Sequence, residues 1–185
     1  TEMITGHDLV EWQLRVAAGE KLPMSQEELT ITGHAMEVRV YAENPSKGFL
    51  PSTGRLNRLR FPDEGPHIRI DTGVEEGDEV SPYYDPMIAK LIVWDEDRPR
   101  ALRRLRVALQ QTEVVGVQTN TAFLSRIAVN SDFAAARLDT GFIERHIAEL
   151  VPEPGPTPVR SLAIAALAVL LERVDDAAVG AVVGG

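Results

Sequence analysis

From Gly33 to Asn44 the chain alternates with a period of two, and this stretch limits the possible folds more than any other. Met36, Val38, Val40 and Ala42 share one parity, while Glu37, Arg39, Tyr41 and Glu43 share the other. Such a strand needs a sheet with one packed face and one face that carries charge. Three charges and a phenol are too polar for a buried face and more ordered than a solvated one requires. An arginine flanked by two glutamates on one strand face is confined in rotamer and set to meet an anion. The same pattern also suits a solvated face laced with ladder salt bridges. Periodicity does not choose between the two.

Further strand signals occur at 54–61, 67–71 and 87–94, separated by turn chemistry at Pro62–Pro66 and around Gly73 and Gly77. Upstream, Thr5 or Gly6 is expected to start a helix through Ala18. Asp8 would lie in its first turn, Gly19 would stop it, and Leu9, Trp12 and Val16 would form its apolar stripe. Ser25 with Glu28 forms a capping box for one short turn. In the second half the period changes to that of helices. Asp97, Arg98 and Pro99 open one through about Gln111, with Leu102, Leu105 and Leu109 on its core stripe beside Ala101 and Ala108. Val114–Val117 reads as a short strand, Thr119 or Asn120 as a cap for a helix to Val129, Ser131 and Asp132 as the cap of another turn, and Thr140 as the start of a helix to Leu150. The expected class is α+β: a mainly antiparallel sheet flanked by helices.

At residues 151–158 the composition shifts to four prolines in eight positions, a stiff linker and an expected boundary after a domain at 1–150. Leu162–Leu171 follows without a charge, which is short of the roughly 20 residues a membrane span needs. It is expected to be an isolated helix at the start of a further segment, 159–185, buried against protein beyond this chain. The first residues include no initiator Met and no signal peptide, so the chain reads as a piece of something longer.

Charge and composition narrow the function. With 19 basic against 28 acidic residues the net charge is −9, which argues against nucleic acid as the main partner. The arginines at 100, 103, 104 and 106 lack interleaved aromatics and read as a solvated helix face. There is no cysteine, and the four histidines are scattered, so neither a thiolate nor a metal site is indicated.

A second chemistry-bearing segment is Ser81–Lys90, where prolines on both sides fix the backbone around Tyr83, Tyr84 and Asp85. Asp85 can there hold a basic partner at a set distance; equally, the segment is a rigid turn whose tyrosines cover the core. Just before it, Gly73–Val80 echoes the hairpin of biotinyl and lipoyl carrier domains. The Ala-Met-Lys-Met tip of those domains is absent, and Lys90 runs into the apolar strand Leu91–Trp94 rather than onto an exposed turn.

Taken together, Thr1–Gly6, Gly33–Asn44, Phe49–Gly54 and Tyr83–Lys90 resemble the C-terminal domain of biotin carboxylase, as found in the α subunits of acyl-CoA carboxylases. The resemblance covers Thr1–Leu150 and implies a rudimentary hybrid β motif, which accounts for the echo at Gly73–Val80. The enzyme it implies makes carboxyphosphate from ATP and bicarbonate and then carboxylates the ureido nitrogen of biotin. On that resemblance, Arg39 matches the arginine that holds the ureido oxygen as negative charge develops on it, a large catalytic contribution in general. Asp85 matches an orienting partner of that arginine, with Glu37 and Tyr84 as support for the same biotin site. Phe142 falls where the family places an apolar contact to adenine. Arg60–Arg69 corresponds to part of a homodimer surface on which Arg69 is retained, while Pro66 occupies a position that is aromatic in some members.

The resemblance also implies what must come from elsewhere. ATP and Mg2+ are held mainly by an upstream ATP-grasp region, whose Arg-x-Gln-Val-Glu-His-Pro-Val run should precede Thr1, and no glycine-rich phosphate loop or metal ligand set is expected in this piece. Biotin arrives on a separate carrier domain. A carboxyltransferase β subunit is the expected partner of the 159–175 helix, in a methylcrotonyl- or propionyl-CoA type of enzyme, cytoplasmic in bacteria or in the mitochondrial matrix of eukaryotes. The competing readings are a non-catalytic dimerisation and docking module, and a carrier domain modified at Lys90.

Overall fold

The antiparallel pairing expected of Gly33–Asn44 is made with the strand that follows the tyrosine segment. In the computed structural model, which describes residues 1–153 and 155–183 with side chains through Leu171, β1 (His34–Tyr41) lies against β8 (Met87–Asp95). Pro154 of the linker and Gly184–Gly185 of the last segment lie outside the described residues. Contacts divide the chain into two compact units, Thr1–Pro152 and the residues from Glu153 onward.

In chain order the first unit contains α1 (Glu2–Thr5), α2 (Leu9–Ala17), β1, β2 (Glu43–Asn44), β3 (Leu50–Pro51), β4 (Gly54–Arg55), β5 (Arg58–Arg60), β6 (Ile68–Thr72), β7 (Glu79–Val80), β8, α3 (Arg98–Gln111), β9 (Glu113–Val115), α4 (Thr121–Val129), α5 (Ser131–Ala134) and α6 (Phe142–Leu150). The main sheet has the order β1-β8-β6 and is antiparallel throughout. Three two-stranded pairs, β2-β3, β4-β7 and β5-β9, surround it. The α+β class is therefore as expected.

One face of the main sheet is packed. Met36, Leu91 and Val93 meet Ala101, Leu102, Leu105, Ala108 and Leu109 of α3, the five residues assigned to its core side from spacing alone. Asp97 caps this helix through Arg100 N–H, and Pro99 sits in its first turn. A second cluster joins Val40, Ala42, Leu56, Ile88 and Ala89; a third joins Phe123, Phe142 and Leu150.

Several local expectations are corrected. The N-terminal helix is two helices: Gly6 ends α1, its N–H on the Glu2 carbonyl, and Asp8 is the cap of α2, accepting from Val10 and Glu11 N–H. Leu9 and Val16 are exposed, so the stripe of α2 has no core partner among the described residues. The run at 54–61 is two strands, because the chain changes partners at Leu56 and Asn57, from β7 to β9. Leu56 N–H donates to Asp78 C=O, whereas Asn57 N–H donates to Val115 C=O. Gly116 permits this crossing: its φ is 114° and a Cβ there would lie 1.9 Å from the Arg55 carbonyl oxygen. Periodicity could not reveal the change, since both pieces keep one alternation. The cap of α5 is Asn130, not Ser131 or Asp132, and α6 begins at Phe142 rather than Thr140.

The second unit is the helix α7 (Val159–Val183), which continues past the apolar run. Its large described side chains, Leu162, Ile164, Leu167 and Leu170 among them, are exposed. No described helix is long and apolar enough to cross a membrane.

Leu91 is fully buried where β8 meets α3. Leu91→Ala is expected to lower the unfolding free energy by about 3 kcal/mol. Val107→Ala, at an exposed site on α3, should change it by less than about 0.5 kcal/mol. Urea titration followed by circular dichroism measures both.

Candidate functional site

The face of the main sheet opposite α3 carries the charges, and the strand register sets their order. Arg39 of β1 is opposite Lys90 of β8, which is opposite Asp71 of β6; one row along, Glu37, Ile92 and Arg69 line up in the same way. Lys90 Nζ is 2.8 Å from Asp71 Oδ2, and Arg69 Nε donates to Asp71 Oδ1 at 2.7 Å while its other arm reaches Glu2 of α1. Burial pushes the Asp71 carboxyl up, but Arg69 and Lys90 together outweigh it and hold the group below its ordinary value. Asp71 and Glu2 hold the Arg69 guanidinium well above its ordinary value. A hollow of about 310 Å³ over this face is lined by Glu2, Glu37, Arg69, Asp71, Lys90 and Ile92.

Arg39 is bound far less tightly. Its Nε is 3.8 Å from Glu37 Oε1, and its side chain is 62% exposed. On the free edge of β1 a second hollow, about 380 Å³, runs from Arg39 and Tyr41 past Glu43 and Asn120 to Leu124 and Phe133. Burial pushes the Glu43 carboxyl above its ordinary value; a hydrogen bond from Asn120 opposes the rise and the nearby Asp85 charge adds to it. A larger hollow, about 730 Å³, lies between α3 and the start of β6, lined by His67, Arg100, Arg103 and Arg104. Arg100 and Arg104 there are already paired with Glu96 and Asp95, and it is remote in register from Arg39.

The two segments singled out from sequence do meet. Tyr41 is paired with Met87, and Ala42 N–H donates to Pro86 C=O at 2.8 Å, which fixes the tyrosine segment beside the end of β1. Asp85 reaches the neighbourhood of Glu43, but its Oδ1 accepts from Met87 N–H and forms no ion pair with Arg39. The carboxylate on Arg39 here is Glu37. Tyr84 is 84% exposed, so it is not a lid on the core. Phe142 is not with this group: it is 5% exposed, packed with Phe123, Phe133 and His146, which leaves little of its ring for a ligand. Arg69 belongs to the same sheet face as Arg39, two strands away.

Sequence reasoning missed Asn120. Read as a helix cap, it makes no side-chain cap bond to α4; its side chain holds the backbone of β1 instead. The only signal was that an edge strand needs partners for its outward groups.

Against known proteins, the family model described as the biotin carboxylase C-terminal domain matches residues 37–145. The chain belongs to that family. It is 52% identical over 176 residues to the mitochondrial methylcrotonoyl-CoA carboxylase subunit alpha of Dictyostelium discoideum, covering 95% of this chain and 25% of that one. To the propionyl-CoA carboxylase alpha chain of Ruegeria pomeroyi it is 46% identical over 172 residues, covering 83% of this chain and 25% of that one. The chain thus spans about a quarter of the length of these relatives. Among solved structures it is similar to the biotin carboxylase domain dimer of Hydrogenobacter thermophilus 2-oxoglutarate carboxylase in complex with MgADP, ADP and bicarbonate. The TM-score is 0.78 and the identity 41%, over 83% of this chain and 34% of that one.

The paired carboxylate predicts a pH dependence for this biotin carboxylase C-terminal domain. The folded value of Asp71 lies below the unfolded one, so between them the unfolded state binds the extra proton and stability rises with pH. The contribution of Asp71 is present above about pH 4 and is lost as the pH falls through the folded value. Asp71→Asn should be less stable than the parent at pH 7, and the gap should close on acidification. Thermal unfolding at a series of pH values checks the sign.

Proposed function

We propose that this chain is the part of an ATP- and bicarbonate-dependent biotin carboxylase that presents Arg39 to the biotin ureido group, within an acyl-CoA carboxylase. The observation that carries the proposal is the contrast on one sheet face. Arg69 and Lys90 have their charge taken up by Asp71, whereas Arg39 has, among the described residues, a single carboxylate at 3.8 Å and an exposed side chain. Its remaining N–H donors suit an oxygen on which negative charge develops, and an arginine offers them in a planar fork.

When bound, biotin supplies the ureido nitrogen that accepts the carboxyl group. The residues here position charge. Arg39 holds the ureido oxygen, Glu37 limits the range of the guanidinium, and Asp85 and Tyr84 contribute the border of the same site from the segment anchored on Ala42. Among the described residues no group of three or more acidic, His or Cys side chains is arranged for a metal ion. On the family resemblance, magnesium and the ATP phosphates are assigned to an ATP-grasp region of the same subunit. Biotin is carried in by another domain. Phe142 is retained as an adenine contact only through the small part of its ring that is exposed.

A docking role has its own support in α7, whose exposed leucines suit a carboxyltransferase β subunit, and in Arg69 for a homodimer surface. It is compatible with catalysis and separable from it. The carrier reading is disfavoured, because Lys90 lies within β8 with its ammonium on Asp71, where a modified lysine would have to break that pair.

In the full-length subunit, Arg39→Ala is expected to reduce biotin carboxylation by at least about a hundredfold, with size-exclusion profile unchanged. Arg39→Lys should recover only part, since a point charge cannot replace the fork. Carboxylation that survives Arg39→Ala would overturn the catalytic reading and leave the docking one. The isolated 185-residue piece is expected to show no ATP turnover dependent on free biotin.

A further inference from the structure

We propose that Asn120 is a positioning residue for Arg39, holding the backbone that aims its guanidinium; this rests on the role given to Arg39 above. β1 is an edge strand, so its outward N–H and C=O groups have no strand to pair with. Around Arg39 this exposure coincides with a break in the inner ladder. Val40 is paired with Ala89 but Tyr41 with Met87, a register shift that leaves one residue of β8 unmatched. A strand released on one side and irregular on the other would leave Arg39 loosely placed.

Asn120 fills the gap from α4. Tyr41 N–H donates to its Oδ1 at 2.9 Å, its Nδ2 donates to the Arg39 carbonyl at 3.1 Å, and its own backbone N–H donates to the Tyr41 carbonyl at 3.2 Å. One residue thus supplies the hydrogen bonds of a missing strand, spanning Arg39 to Tyr41. It is 4% exposed and stands at the start of a helix anchored by buried Phe123 and Ala128. The commitment has a cost, since a side chain at this position ordinarily caps its own helix and Asn120 makes no such bond.

Its effect on Arg39 is specific. Among the described residues only Glu37, at 3.8 Å, holds the guanidinium, so its direction depends on where the backbone points Cα–Cβ. The amide serves both polarities, an acceptor for Tyr41 and a donor for Arg39. An aspartate at 120 keeps the acceptor but turns a second oxygen against the Arg39 carbonyl.

The test uses the full-length subunit. Asn120→Ala and Asn120→Asp are expected to lower kcat for biotin carboxylation about tenfold with KM for ATP unchanged. Leu109→Ala, which destabilises the core at α3 without touching the β1 edge, should leave kcat per folded molecule unchanged. In an Arg39→Lys background, Asn120→Ala should cost less than about twofold more, since the two substitutions act on one group. The proposal is overturned by full additivity in that background, or by Asn120→Ala retaining kcat within about twofold where Arg39→Ala loses it. Activity that persists in Arg39→Ala overturns the site assignment itself. Should Asn120→Ala fail to fold, Asn120→Asp carries the same comparison.

Discussion

The pairing of β1 with β8 sets both faces of the central sheet at once, because the side-chain period of a strand is two and one register serves both sides. With Val38 opposite Leu91 and Met36 opposite Val93, the apolar parity of both strands faces α3. The same register brings Arg39 against Lys90 on the far side, and β6 adds Asp71 in line. Slipping β1 by one residue would bury Arg39 under α3, and slipping β8 would expose Leu91. The core and the charged face therefore enforce each other: burial of Leu91 and Val93 selects the register, and the register builds the row of charges.

Within that row the acid is committed and one base is not. Asp71 neutralises the two cations nearest to it, and its lowered proton affinity shows that their attraction exceeds the cost of its own burial. Lys90, directly across from Arg39, would repel it if left unpaired; held by Asp71 it presents a smaller local charge. In a chain of net charge −9, this is how one guanidinium on this sheet face stays available. A neighbouring carboxylate in close contact would have absorbed it, as Glu2 and Asp71 absorb Arg69.

Much of this was legible in the sequence, and the reason differs between elements. The parity of Gly33–Asn44 and the stripe Leu102, Leu105, Leu109 are local patterns, and each was recovered with its buried side. The alliance of that strand with Tyr83–Lys90 came from a family resemblance, and the structure joins them through Ala42 and Pro86. What failed were features decided by partners distant in sequence. Alternation at 54–61 continues across the change from β7 to β9, so the break at Leu56 and Asn57 has no local sign. Asn120 has the residue type and position of a cap, and only the edge of a strand some 79 residues earlier shows why its side chain turns away. Asp85 as a partner for Arg39 is an implication of the resemblance; in this structure the turn it sits in occupies its carboxylate with Met87 N–H, and the carboxylate on Arg39 is Glu37.

Two arginines on one sheet face, Arg39 and Arg69, thus have opposite uses, and the difference comes from geometry. Arg69 is on the outer strand β6, where α1 closes over it with Glu2 and its own strand supplies Asp71 two residues on. Both of its ion pairs among the described residues are internal, and the one with Glu2 ties α1 to the sheet. Arg39 is on the opposite edge, where among the described residues its one ion pair, with Glu37, stays at 3.8 Å. Its side chain makes one loose ion pair among the described residues, while its carbonyl is held by Asn120 from α4 and the residues on either side of it are paired with β8. A fixed root with unsaturated donors is what preorganised electrostatic stabilisation requires, since the group must already point at the developing charge and must not be spent on another. In the role proposed for Arg39, the fold leaves its guanidinium donors to an oxygen supplied from outside the described residues.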